Sequence, residues 1–165
     1  MRVFMEFLIV TGLSGAGKSR AVDALEDIGF YCVDNIPPKL IPTFYDLFQQ
    51  SKSGFQHVAV VTDIPPKLIP TFYDLCAKAG NTFSRVAVVT DIRGGDMFSS
   101  LFETLDDLKN EDKHYRILFL DANDYVLINR FKETRRKHPL AENNLGSLEQ
   151  AVKLEREILR PVREK

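Results

Sequence analysis

Two cysteines in 165 residues are too few for a disulfide framework or a four-ligand zinc site. Cys32 sits inside an apolar run and reads as a small core residue. Neither sign of charge is in excess, because 22 basic side chains face 23 acidic ones. A protein that relies on phosphate-backbone contacts usually shows a basic surplus, so the whole-chain balance argues against general nucleic-acid binding, with local clusters left open. No apolar run approaches the roughly 20 residues that a membrane helix needs. The opening MRVFMEFLIV is interrupted by Glu6 and lacks a small-residue cleavage site, so it reads as a strand rather than a signal peptide. Together these absences point to a chain of the reducing cytoplasm. No histidines stand at metal-ligand spacing, and no Ser/His/Asp arrangement stands out.

What is present is a regular alternation. The length suits one domain over residues 1–165. Short apolar runs occur at 7–11 (FLIVT), 30–34 (FYCVD), 58–62 and 86–90 (VAVVT twice) and 117–121 (ILFLD). Each is apolar on both faces, as in a parallel strand covered by helices on both sides. Between them, Lys18 to Ile28 places Ala21, Val22, Ala24, Leu25 and Ile28 on one stripe. Asp96 to Asn110 repeats Met97, Phe98, Leu101, Phe102, Leu105 and Leu108 at helical spacing. Asn123 or Asp124 suits a helix N-cap, and Ser147 with Gln150 suits a capping box for a last helix ending near Arg160. Strand–helix alternation predicts an α/β fold with a mainly parallel sheet of about five strands.

Residues 36–63 are nearly repeated at 64–91, with 19 of 28 positions identical. Two copies are too few for a solenoid. Each copy reads as a helix with a proline in its first turn (Pro42 or Pro70) followed by a strand, so the downstream alternation keeps its phase. Right-handed crossovers that step one position at a time towards the first strand predict the spatial order 30–34, 57–63, 85–91, 5–11, 116–121. So clean a copy suggests an engineered or very recent duplication.

The chemistry lies in GLSGAGKS, which matches GxxxxGK[ST] with Gly12, Gly17, Lys18 and Ser19 in register. A strand precedes it and a helical pattern follows, as a P-loop requires, which makes the fold a three-layer, kinase-like P-loop NTPase fold. Gly12, Leu13, Ser14, Gly15, Ala16 and Gly17 would turn backbone N–H groups towards a nucleoside triphosphate. Lys18 would reach the β- and γ-phosphates, and the Ser19 hydroxyl would take one position on Mg²⁺. The metal also needs an acid at the end of a neighbouring strand, and both Asp63 and Asp91 end VAVVTD. Asp91 leads into IRGGD, whose glycines allow a close approach to the nucleotide, whereas Asp63 leads into IPP. The predicted strand order also puts only Asp91 beside Gly12, so Asp91 takes the metal role. Asp34 faces the same sheet edge and suits either a substrate or metal-water contact or a turn-forming Asp-Asn.

A basic stretch, RFKETRRKHPL, follows at 130–140. Cations at a helix C-terminus favour its dipole and face solvent. The competing reading is a lid whose arginines touch the nucleotide, and the two are balanced for Arg135 and Arg136. For Arg130, Lys132 and Lys137 the solvated face is preferred. His138 has no carboxylate partner evident in the sequence and is not assigned to catalysis.

The runs FLIVTGLSGAGKSRAVDALEDIGFYCVDNIPPKLIP, VAVVTDIRGG, ILFLDANDYVLINRFKETRRKHPL and LEREILRPVRE resemble the RapZ (YvcJ) family of bacterial nucleotide-binding proteins over nearly the whole chain. The resemblance implies binding of ATP and GTP with weak hydrolysis of both. It further implies a guanine-nucleotide segment at Asp91, Ile92, Arg93 and Gly94. The extra 28 residues are not in the family pattern. In that family the RNA-adaptor role is associated with a later C-terminal domain, so it is not carried over. No residue stands out to orient an attacking water, and slow turnover is expected. Two alternatives remain: a small-molecule or nucleotide kinase, and a non-catalytic scaffold that keeps the loop.

Overall fold

The computed structural model describes residues 6–28, 30–34, 57–61, 66–78, 85–90, 95–141 and 146–165. Five strands, β1 (Glu6–Gly12), β2 (Tyr31–Asp34), β3 (His57–Val61), β4 (Arg85–Val89) and β5 (Arg116–Leu120), form one sheet. Their order is β2-β3-β4-β1-β5, and every pairing is parallel, as the apolar runs and the handedness argument predict. The strands of the two sequence copies lie side by side. They pair like residue to like residue, Val58 with Val86 and Ala59 with Ala87.

Five helices are described: α1 (Lys18–Asp27), α2 (Ile69–Lys78), α3 (Gly95–Asn110), α4 (Asp124–Thr134) and α5 (Leu148–Arg163). Strand periodicity divides their packing. Phe7, Ile9, Val86 and Val88 face a large core filled by Ile69 and Phe72 of α2, Leu101, Leu105 and Leu108 of α3, Leu127 of α4, and Val152 and Leu159 of α5. The alternate residues Val10, Ala87 and Val89 face a smaller core closed by Leu25 of α1 and by Phe30. Burying each large aliphatic side chain stabilises the fold by about 1.5–3 kcal/mol relative to its exposed state.

Local signals set the helix ends. Pro70 lies in the first turn of α2, preceded by a 3-10 turn over Pro66–Leu68 that was not anticipated. The Asn123 side chain caps α4 by accepting from the Val126 N–H at 2.9 Å. Ser147 and Gln150 form the expected capping box at the start of α5. Helix α3 ends in a left-handed residue, Asp112 (φ 54°), with the Lys113 N–H returning to the Leu108 carbonyl at 2.9 Å.

Two expectations change. Ile28 lies beyond the end of α1 and is exposed, so it is not part of the apolar stripe. Helix α5 continues past Arg160 to Arg163 with Pro161 inside it. The proline removes one hydrogen bond in the last turn, but the buried Val162 and the Glu164 N–H bond to the Arg160 carbonyl hold that turn in place. The helix expected for the first sequence copy, with Pro42, falls outside the described residues.

Candidate functional site

The loop from Gly12 to Ser19 leaves the carboxyl end of β1, the strand between β4 and β5. Gly12 has φ +143°, and a Cβ there would lie 2.2 Å from the Leu120 carbonyl oxygen, so only glycine fits this approach to β5. The Leu13 N–H donates to that same carbonyl at 3.1 Å. A turn closes the loop, with the Ala16 N–H donating to the Leu13 carbonyl at 3.0 Å. Gly15 (φ +82°) and Gly17 (φ +106°) reverse the chain and deliver it into α1. Among the described residues the N–H groups of Gly15, Gly17 and Ser19 make no hydrogen bond, which leaves donors at the positive end of α1. Lys18 lies across the root of the loop, its Nζ 3.2 Å from the Gly12 carbonyl and 3.4 Å from that of Leu13. Ser19 is exposed in the first turn of α1.

The loop is gripped from two sides. Arg130 of α4 donates from Nη1 to the Gly15 carbonyl at 2.7 Å, and a Cβ on Gly15 would lie 3.2 Å from the Phe131 ring. From the other side, Glu155 of α5 takes Ser14. The Ser14 N–H points between both carboxylate oxygens at 3.2 and 3.1 Å, and the Ser14 hydroxyl donates to Oε1 at 2.7 Å. His138 Nε2 meets Oε2 at 3.0 Å, and the Leu140 N–H donates to His138 Nδ1 at 3.2 Å. Because Nδ1 accepts, Nε2 is the nitrogen that carries the hydrogen, and it donates to Glu155.

Of the sequence-predicted residues, Gly12 to Ser19 come together as one loop. Arg135 and Arg136 are exposed beyond α4, Arg135 being its left-handed C-cap (φ 51°), and neither pairs with a described residue. Asp63 and the segment Asp91, Ile92, Arg93 and Gly94 lie outside the described residues. The strand order on which Asp91 was chosen does hold. The Thr90 N–H bonds the Val10 carbonyl at 2.9 Å, so the chain reaches position 90 beside the end of β1, with β3 one strand further away. The Thr11 and Thr90 hydroxyls are buried at this edge with no hydrogen-bond partner among the described residues.

Three residues near the loop were missed. Arg130 was read as a solvated cation, His138 as lacking a carboxylate, and Glu155 was not singled out. His138 does have a carboxylate partner, but that partner lies 17 residues further along, on the next helix. One signal was available: in α5, Glu155 stands four residues after the apolar Ala151 and four before Leu159, on the buried stripe.

Beyond the loop, Arg156 of α5 clamps the junction between β5 and α4. It bonds Asp121 at 2.7 Å, the Ala122 carbonyl at 2.6 Å and Asp124 at 2.7 and 2.9 Å. Partial burial alone would make the guanidinium easier to deprotonate, but the two aspartates outweigh it and raise its pKa above the ordinary value.

A parallel β2-β3-β4-β1-β5 sheet, helices on both faces and a glycine loop leading from β1 into α1 define a kinase-like P-loop fold. Within that class the chain belongs to the RapZ-like N-terminal domain family, whose model matches residues 5–64 and 59–165. The two matched ranges share 59–64, where the first sequence copy meets the second. A nucleotide-binding protein from Clostridium botulinum (strain Hall) is 44% identical over 161 residues, covering 98% of this chain and 45% of that protein. One from Caldicellulosiruptor bescii is 40% identical over 159 residues, covering 96% and 45% respectively. The chain thus spans less than half the length of these relatives. Among solved structures, a gluconokinase from Sinorhizobium meliloti 1021 is similar with a TM-score of 0.41 and 16% identity, covering 94% of this chain and 75% of that one.

Proposed function

We propose that residues 1–165 act as one nucleotide-binding unit that takes ATP or GTP, with Mg²⁺, in the loop from Gly12 to Ser19 and hydrolyses it slowly. The observation that carries this reading is the loop itself. Three positive-φ glycines leave the N–H groups of Gly15, Gly17 and Ser19 without a partner among the described residues at the start of a helix. The names of the C. botulinum and C. bescii relatives support a nucleotide as the ligand.

In this reading Lys18 leaves the carbonyls at the loop root and pairs with the β- and γ-phosphates. Among the described residues no cluster of three or more His, Cys, Asp or Glu is placed to hold a metal. Mg²⁺ would be held mainly by phosphate oxygens, with the Ser19 hydroxyl and the Asp91 carboxylate as the protein ligands. Bound there, Mg²⁺ would neutralise charge on the phosphates. Asp91, Ile92, Arg93 and Gly94 serve the guanine-nucleotide segment, and Arg130, beside the loop, is a nearer phosphate contact than Arg135 or Arg136. Slow turnover is the expectation, because no residue stands out in the sequence to orient an attacking water. A reducing cytoplasm remains the expected location, and among the described residues no helix is long and apolar enough to cross a membrane.

Titration with ATP and GTP, with and without Mg²⁺, followed by phosphate release, tests the reading. Lys18→Ala is expected to weaken triphosphate affinity at least about tenfold, the loss of one charge-assisted contact. Unchanged affinity in that variant would remove the claim.

A further inference from the structure

Glu155 stands out among the ionisable residues for its surroundings. It is 2% exposed, its partners His138 and Ser14 are 1% and 6% exposed, and the three sit behind the glycine loop, one each from α5, the segment after α4, and the loop. A carboxylate is almost never buried so completely without a compensating partner. Here every described contact on it is a hydrogen-bond donor: the Ser14 N–H, the Ser14 O–H and His138 Nε2. No lysine or arginine among the described residues pairs with it. The Leu140 N–H donates to His138 Nδ1, which fixes the orientation in which the ring meets Glu155. A carboxyl group ringed by donors therefore lies behind a loop that the preceding reading gives to a polyphosphate. Charge attraction does not account for it, so its contribution has to come from geometry.

We infer that Glu155, oriented by His138, is a positioning residue that holds the glycine loop in its phosphate-binding curve through Ser14 and couples occupancy of the loop to helix α5. The inference rests on the nucleotide-binding reading. Glycine-rich backbone has many conformations to lose, and binding is weakened by whatever ordering remains to be done. Drawing the Ser14 N–H inward fixes the first half of the Leu13–Ala16 turn, while Arg130 fixes the Gly15 carbonyl from the opposite side. The donors further along, on Gly15, Gly17 and Ser19, are left for a ligand.

The coupling follows from where Glu155 is anchored. The next residue, Arg156, grips Asp121, Ala122 and Asp124 at the end of β5. One turn of α5 thus touches both the phosphate loop and the strand beside its root. Ligand that orders the loop strengthens the Ser14–Glu155 bonds, and by reciprocity anything that displaces α5 weakens ligand binding.

The test is triphosphate affinity together with amide hydrogen exchange across 148–163, measured with and without saturating Mg²⁺-nucleotide. It uses the wild-type chain, Glu155→Gln and Ser14→Ala. Glutamine keeps the volume but presents an N–H₂ group to a set of donors. Ser14→Ala deletes only the 2.7 Å hydroxyl bond and serves should Glu155→Gln not fold. In the wild type, nucleotide is expected to slow exchange in the turn around residue 155. In Glu155→Gln the affinity should fall about tenfold or more and that protection should vanish, with a smaller affinity loss and partial protection in Ser14→Ala. A purely structural glutamate would lower stability in both variants and leave the nucleotide-dependent protection of α5 unchanged in a variant that still binds. That outcome, or wild-type binding with no change in α5 exchange, overturns the inference alone. A wild-type chain that binds no nucleotide overturns the reading beneath it as well.

Discussion

Gly12 illustrates how little freedom single positions have at the sheet edge, since any side chain there would collide with the Leu120 carbonyl. Its neighbours Thr11 and Thr90 are in the opposite condition, with buried hydroxyls and no partner. An unpaired buried hydroxyl costs about 1–3 kcal/mol. Thr90→Val, nearly isosteric, is expected to raise stability by about 1 kcal/mol in chemical denaturation. A loss of stability would show that the hydroxyl has a partner in solution. Cys76 gives a residue-level pH dependence: burial pushes its thiol from the ordinary 9.0 up to about 12. The folded state therefore favours the protonated thiol, and this contribution is intact below pH 9 and is lost as pH rises from 9.0 towards 12. Cys76→Ala should flatten the alkaline limb of the stability profile between those values. In the native wild type, Cys76 should resist alkylation at pH 8, as peptide mapping by mass spectrometry would report. The loop residues could be read locally. Glu155 could not, because Ser14 lies 141 positions away and sequence spacing carries no information on such a contact.

Among the elements, α5 ties the site to the rest of the chain. Its apolar stripe packs Val152, Leu159 and Val162 into the large core, and its polar residues Glu155 and Arg156 reach the loop and the β5–α4 junction. Arg156→Ala removes hydrogen bonds to two carboxylates and a carbonyl and is expected to cost about 2 kcal/mol in thermal or chemical unfolding. Arg156→Lys should recover only part of this, since an ammonium cannot reproduce the fork. Equal stability of Arg156→Ala and the wild type would mean that the clamp is offset by solvation. Both capped helix starts were legible because a cap is a local device, with acceptor and donor within three residues. The 3-10 turn at Pro66–Leu68 and the last turn of α5 beyond Pro161 were not, because each depends on packing against distant residues.

At the scale of the molecule, the placement of the duplicated strands bears on which aspartate the proposed function gives to the metal. They pair with one another in equivalent register, and β4 alone of the two lies beside β1. Asp91→Asn is therefore expected to impair Mg²⁺-dependent binding or hydrolysis at least tenfold more than Asp63→Asn, measured by titration and phosphate release. The reverse ranking would assign the metal to the first copy. The sequence by itself determined the alternation of strand and helix, the parallel order of the sheet and the loop from Gly12 to Ser19. Those follow from periodicity, crossover handedness and a contiguous motif, all of which act over short stretches of chain. Only the tertiary structure decided that Arg130 and Glu155 hold that loop from opposite sides and that His138 has a buried carboxylate. Side chains on separate helices become neighbours only when the helices pack, and no spacing in the chain records which faces will meet.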